Sequence, residues 1–191
     1  QLVRWLDVGG IALLTERRTT TVESAIAFGW EILQRCRTRI DVAESTVVKF
    51  PFGRTVGWDP TDISHGDLGV AMVYSAADFF DPDGGWDRLA HGHLAKAARG
   101  IQRAPLLTLG LFADAVALAF TLRAHSRSGE RYQRVTSNLD AQIARQLDVV
   151  VERVELEVGS ASELYDVVSG LAGAVTYAFT TDAGSGALGD G

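Results

Sequence analysis

Cysteine is almost absent. The single one in 191 residues, Cys36, excludes an intrachain disulfide and a metal site built on several thiolates. That scarcity fits a reducing, cytoplasmic setting. No run of about 18 apolar residues occurs, so no membrane span is expected. A basic excess is missing too: the net charge is −6 and the pI about 5.2, which argues against nucleic-acid binding, since that needs a cationic face. Aromatics make up only 8% of the chain, few for a site that stacks on sugars. Prolines number four, and three of them, Pro51, Pro60 and Pro105, fall where helices must stop.

What is present is helical periodicity. Thr20 and Glu23 form a capping-box pattern ahead of Val22, Ile26, Gly29, Leu33, Cys36 and Ile40, which predicts a helix over 20–40 with Cys36 on its buried stripe. Residues 45–63 predict an irregular loop with a short strand near Val47. Beyond it, helices that are apolar nearly all round (64–80, 106–126, 163–180) alternate with amphipathic ones (85–104, 129–155). The apolar helices carry related openings, "HGDLGVAMVY", "LGLFADAVALAF" and "SGLAGAVTYAF", with first glycines at 66, 110 and 170. Such a degenerate repeat predicts an all-α fold: helical hairpins arranged as an α/α toroid or a solenoid, inner helices apolar and outer ones keeping one wet face. Glycine inside a helix costs about 1 kcal/mol relative to alanine, so its recurrence implies close packing or backbone left open at the helix mouth. The tail "TTDAGSGALGDG", and with it 181–191, reads as flexible or cut. The start at Gln1 rather than Met suggests a native terminus further upstream.

These residues carry a resemblance. "YDVVSGLAGAVTYAF" resembles the Tyr-Asp-…-Ser-Gly-Leu-(Ala/Ser)-Gly motif of the lanthionine synthetase C-like family, the lanthipeptide cyclases. "HGDLGVAMVYSAADFF" resembles that family's earlier repeat, and "LGLFADAVALAF" followed by "SGERYQRVTSNLD" the next, so the match runs in order over roughly 60–180. The resemblance implies one lanthionine synthetase C-like domain over 1–191, an incomplete toroid. It implies addition of peptide cysteine thiols to dehydroalanine or dehydrobutyrine, giving thioether rings. The partners implied are a precursor peptide, with a dehydratase or kinase-like domain or a second cyclase half. In the family, zinc held by two cysteines and a histidine binds the thiol, because the metal-bound thiolate is the nucleophile.

The chain departs from that pattern. One cysteine cannot supply two ligands, so no metal site and no cofactor are expected in this chain. His91 and His93 are two apart and point differently on a helix. His125 suits a helix C-terminus. Asp166, matched through Tyr165-Asp166, is the candidate catalytic, proton-handling residue; helix-dipole stabilisation is its plain alternative. His65, Asp114 and Tyr165 are the candidate substrate-binding residues. The second Gly-x-x-Gly has become Gly110-Leu-Phe-Ala113, followed by Asp114, and three environments are open for Asp114: a wet lumen, an arginine partner, or a helix start. Whether this chain alone is an enzyme is left open. Two alternatives stand beside the cyclase: an α/α-toroid glycosidase or epimerase, for which Asp67, Asp114 and Asp166 are the candidate carboxylates, and a non-catalytic peptide-binding helical module.

Overall fold

The computed structural model describes residues 14–53, 55–103, 108–127, 129–156 and 165–186. Among them are six α-helices and one antiparallel hairpin: α1 (Leu14–Ser45), β1 (Val48–Lys49), β2 (Thr55–Val56), α2 (Asp67–Phe80), α3 (Trp86–Arg103), α4 (Asp114–Ala124), α5 (Gln133–Leu156) and α6 (Leu171–Gly186). The all-α class matches the periodicity. No helix among the described residues is long and apolar enough to cross a membrane.

The chain divides into two compact units, Gln1–Ser45 and Thr46–Gly191. In the first, α1 begins six residues before Thr20. Thr20 and Glu23 therefore lie inside it, because the Glu16-Arg17-Arg18 run ahead of them is compatible with helix. Leu33 is buried, whereas Ile26, on the expected stripe, is exposed. The expected burial of Cys36 concerns a side chain outside those described. In the second unit, the irregular stretch after α1 contains the β1–β2 hairpin, with Val48 opposite Val56 and Lys49 opposite Thr55.

The core of the second unit is built around α4. Eight of its eleven residues, from Asp114 to Leu122, are buried, and the helix packs on α2, α3, α5 and α6. Flanked on so many sides, it shows no amphipathic stripe; its short Ala-rich sequence lets neighbours approach closely. The amphipathic helix α3 is built differently: Trp86, Ala90, His93, Leu94 and Ala97 recur on one face and are buried. Helices α2 and α6 are each buried on one flank. Their other flanks expose Val73, Phe79 and Phe80 on α2, and Val175 and Phe179 on α6. The uniformly apolar composition of these two helices thus overstates their burial within this chain.

A polar tie locks α4 to α5 and α6. Arg123 Nε donates to the Tyr177 hydroxyl at 2.6 Å, Arg123 Nη2 to Asp140 Oδ2 at 2.6 Å, and the Tyr177 hydroxyl to Asp140 Oδ1 at 2.6 Å. Burial, together with the Asp140 carboxylate, pushes the Tyr177 phenol far above its ordinary range despite the guanidinium, so it remains a donor.

The mouths of the three apolar helices are joined by backbone. Ile63 N–H donates to Phe112 O at 2.8 Å, Leu111 N–H to Val167 O at 2.9 Å, Phe112 N–H to Val168 O at 3.3 Å, and Asp114 N–H to Thr61 O at 3.0 Å. An antiparallel bridge pairs Asp62 with Ala113. This stitching corrects two boundaries. Helix α4 starts at 114 rather than 106, and α6 at 171 rather than 163, with 167–170 in turn conformation. Backbone donors committed to a neighbouring loop are lost to the helix ladder. At the other end α6 continues to Gly186, so 181–186 of the expected flexible tail is helical; 187–191 lie outside the described residues.

The glycines serve this stitching. A Cβ on Gly173 would sit 2.3 Å from Leu111 N and 2.5 Å from Val167 O, and one on Gly110 would sit 2.1 Å from Val168 O. By contrast, nothing lies within 4 Å of a Cβ on Gly92 in α3. Gly173→Ala is therefore expected to destabilise by about 2–3 kcal/mol through overpacking, while Gly92→Ala gains about 0.5–1 kcal/mol of helix propensity. Urea unfolding of the two variants checks the contrast; equal effects would contradict it.

Candidate functional site

The stitched rim gathers the chemistry. In the third loop Asp166 lies just ahead of α6. Its Oδ1 accepts from Val168 N–H at 2.8 Å, and its Oδ2 accepts from Ser169 Oγ. The Ser169 hydroxyl and the Val168 and Ser169 amides hold the carboxyl below its ordinary range, so it is ionised at neutral pH. Tyr165 beside it is 77% exposed.

The first loop has the same design. Asp62 precedes Gly66 by four residues and Gly69 by seven, as Asp166 precedes Gly170 and Gly173. Asp62 Oδ1 accepts from the Ser64 amide at 2.5 Å, the Ser64 hydroxyl at 2.6 Å and the His65 amide at 3.0 Å. His65 Nδ1 lies 3.0 Å from the same oxygen and 2.8 Å from Ser64 Oγ, with its ring partly exposed. Aligning the repeats on their glycines alone passes over Asp62; the shared Asp-x-x-x-Gly-x-x-Gly spacing reveals it. The two loops flank the second one.

In the second loop the carboxylate is placed differently. Asp114 takes a left-handed φ of 59°, which Asp tolerates better than most residues. It is buried. Its Oδ1 accepts from Thr61 Oγ1 at 3.3 Å and its Oδ2 from Thr108 N–H at 2.9 Å. Of the three environments considered, it occupies the helix start, and its hydrogen bonds join the first loop to the second.

A further cluster, read in the sequence only as separate pieces, lies where α2 meets α3. Asp67, 1% exposed, accepts from Trp58 Nε1 at 2.9 Å, and its Oδ1 lies 2.5 Å from His93 Nδ1. Lys96 Nζ lies 3.8 Å from Oδ1. Burial works against the charge of Asp67. The His93 and Trp58 hydrogen bonds, with the His93 and Lys96 charges, outweigh it and lower the carboxyl below its ordinary value. His93 is thus bound to a carboxylate rather than paired with His91, which instead lies 2.9 Å from the Tyr132 hydroxyl. The signal was available: His93 and Lys96 fall three apart on one face of α3, opposite the first acid of α2.

Helical hairpins in a row, with the glycine-marked openings of three apolar helices sharing one polar rim, define a helical-repeat domain whose rim is its candidate site. The chain belongs to the lanthionine synthetase C-like family, whose model, described as lanthionine synthetase C-like protein, matches residues 57–183. No curated protein matches the chain.

A folded-state pKa below 3.8 for Asp67 means that its contribution to stability is complete above that value and is lost as pH falls through the lower, folded one. Asp67→Asn is expected to remove this acid-side slope and to destabilise at neutral pH by about 3 kcal/mol, as when one member of a buried pair is deleted. Urea midpoints between pH 2.5 and 7 check it; parallel curves for the two proteins would contradict the assignment.

Proposed function

We propose that the chain forms one part of a lanthipeptide cyclase-like toroid and contributes one wall of a site where a peptide cysteine thiol adds to dehydroalanine or dehydrobutyrine. Family membership supports this reading, and so does the placement of Asp166 on a rim shared by all three inner-helix loops. The exposed apolar flanks of α2 and α6 suit further inner helices, supplied by a second cyclase half, that complete the toroid. The same reading places the protein in a reducing, cytoplasmic setting with a precursor peptide, and with a dehydratase or kinase-like partner that makes the dehydrated residues.

The family's zinc does not fit this chain: its two-cysteine, one-histidine set cannot be assembled from one cysteine. The consequence is quantitative. A free thiol titrates near 8.5 and a carboxylate near 4, so transfer of the proton to Asp166 is uphill by at least about 6 kcal/mol. Asp166 thus accepts a proton only from a thiol acidified elsewhere, and being ionised it does not itself supply the proton that the enolate carbon takes up after addition. His65 and Tyr165, at the same rim, are the groups offered to the peptide; Asp114 holds the rim's backbone in register beneath them.

Addition to an activated alkene calls for one base and one acid close together, a different arrangement from the paired carboxylates of a glycosidase. Asp67 and Asp114 are both buried and engaged, which favours the cyclase over that alternative.

The test is ring closure on a dehydrated, cysteine-bearing peptide, read by mass spectrometry after thiol alkylation, with the protein in the full form in which it is made. Asp166→Asn is expected to slow closure at least tenfold with little change in Tm. Wild-type rates in that variant would remove Asp166 from the mechanism. Absence of any protein-dependent closure would leave the peptide-binding module.

A further inference from the structure

At the end of the inner helices opposite the stitched rim, the first turns of α3 face the turn leading into α5. Between them lies an open groove of about 470 Å³ lined by Asp87, Arg88, His91, Arg131 and Tyr132. That volume falls within the ~300–1,000 Å³ usual for ligand sites. The α4–α5 turn is unusually constrained. Arg127 (φ 49°) and Tyr132 (φ 63°) join Gly129 (φ 87°) in the left-handed region, which costs a bulky residue roughly 1 kcal/mol or more. The turn is pinned by Arg131 N–H donating to Ser126 O at 2.9 Å. It sets the Tyr132 ring nearly parallel to that of His91, offset from it, with centroids 5.9 Å apart and planes 15° from parallel.

The lining itself holds one carboxylate, Asp87, and two guanidiniums, Arg88 and Arg131; with Arg127, Asp78 and Glu130 beyond it the charges balance. Asp87 is shared by Arg131 at 3.4 Å and Arg127 at 3.8 Å. Arg127 is itself matched by Asp78 at 2.8 Å, with Glu130 also acting on it. Arg88 is exposed and has no acidic side-chain partner among the described residues. The groove therefore presents one exposed guanidinium, Arg88, without an acidic side-chain partner among the described residues, beside the Tyr132 phenol and the His91 imidazole.

We propose that the groove docks an acidic segment of a peptide. A carboxylate takes the Arg88 fork, the geometry for which guanidinium is suited, and the adjoining backbone lies along the His91–Tyr132 stack. The inference rests on the reading of the chain as a peptide-handling domain and adds a second contact, remote from Asp166, that orients the bound peptide.

Fluorescence anisotropy with a labelled seven-residue peptide carrying three glutamates tests it, against the same peptide with glutamines and with inorganic phosphate as competitor. The glutamate peptide is expected to bind at least tenfold more tightly than the glutamine one and to weaken as salt rises from 50 to 200 mM. Arg88→Gln, at an exposed position, is expected to lose at least fivefold in affinity with Tm unchanged, and Asp166→Asn to bind as wild type. Equal binding of the two peptides, or full binding by Arg88→Gln, would overturn the proposal. So would displacement by phosphate at the peptide's own concentration, which marks a bare oxyanion pocket, or loss of binding in Asp166→Asn, which places the peptide on the other rim. Ring closure is read separately: a protein that binds the acidic peptide yet closes no ring fails the cyclase reading and leaves the groove standing.

Discussion

The second unit depends on hydrogen bonds between loops that are far apart in sequence. Ile63, Leu111, Phe112 and Asp114 donate their amides across three helix mouths rather than into their own helices. Each such bond is worth only about 1 kcal/mol net, but a buried amide left unpaired costs more than that. The loops therefore hold one another in register. Glycine is required where a Cβ would meet the neighbouring carbonyl or amide. The glycines inside these apolar helices are thus explained by backbone approach between repeats, and the rim they create is a fixed surface rather than a set of independent loops.

That surface sorts the acidic residues by role. Asp62 and Asp166 occupy equivalent positions and spend their oxygens on their own loops. Asp114 is buried between loops, and Asp67 is buried against His93 and Trp58. The last two stabilise the arrangement by accepting donors that burial would otherwise strand. The first two hold loop shape while remaining at the rim, so the same hydrogen bonds that order Asp166 also keep it ionised. Structure and protonation are coupled at that residue: the hydrogen bonds that order the loop stabilise the carboxylate and make it a weaker base than a free one.

Much of this was legible in the sequence. Helical periodicity located all six helices, and the glycine spacing identified which of them form one class. Boundaries failed where the rim begins. Residues 108–113 and 166–170 look helical in composition, and contact with a distant loop draws them out of the helix, a tertiary effect that local pattern does not contain. The burial of α2 and α6 was overstated because an apolar helix with one covered flank reads like one with two. Asp166 was singled out through motif resemblance, and His65 through its place at the opening of an apolar helix. The Asp67–His93 contact was missed because its partners lie 26 residues apart on different helices, and Asp62 because the repeats were matched on glycine alone.

Amide hydrogen exchange of the folded chain tests the stitched rim most directly. If the three loops are joined as described, the amides of Ile63, Leu111 and Asp114 exchange slowly, with protection close to that of the core of α4, although all three lie outside regular helix ladders or at their edge. Exchange at these amides as fast as in a solvated loop, with α4 still protected, would contradict the account.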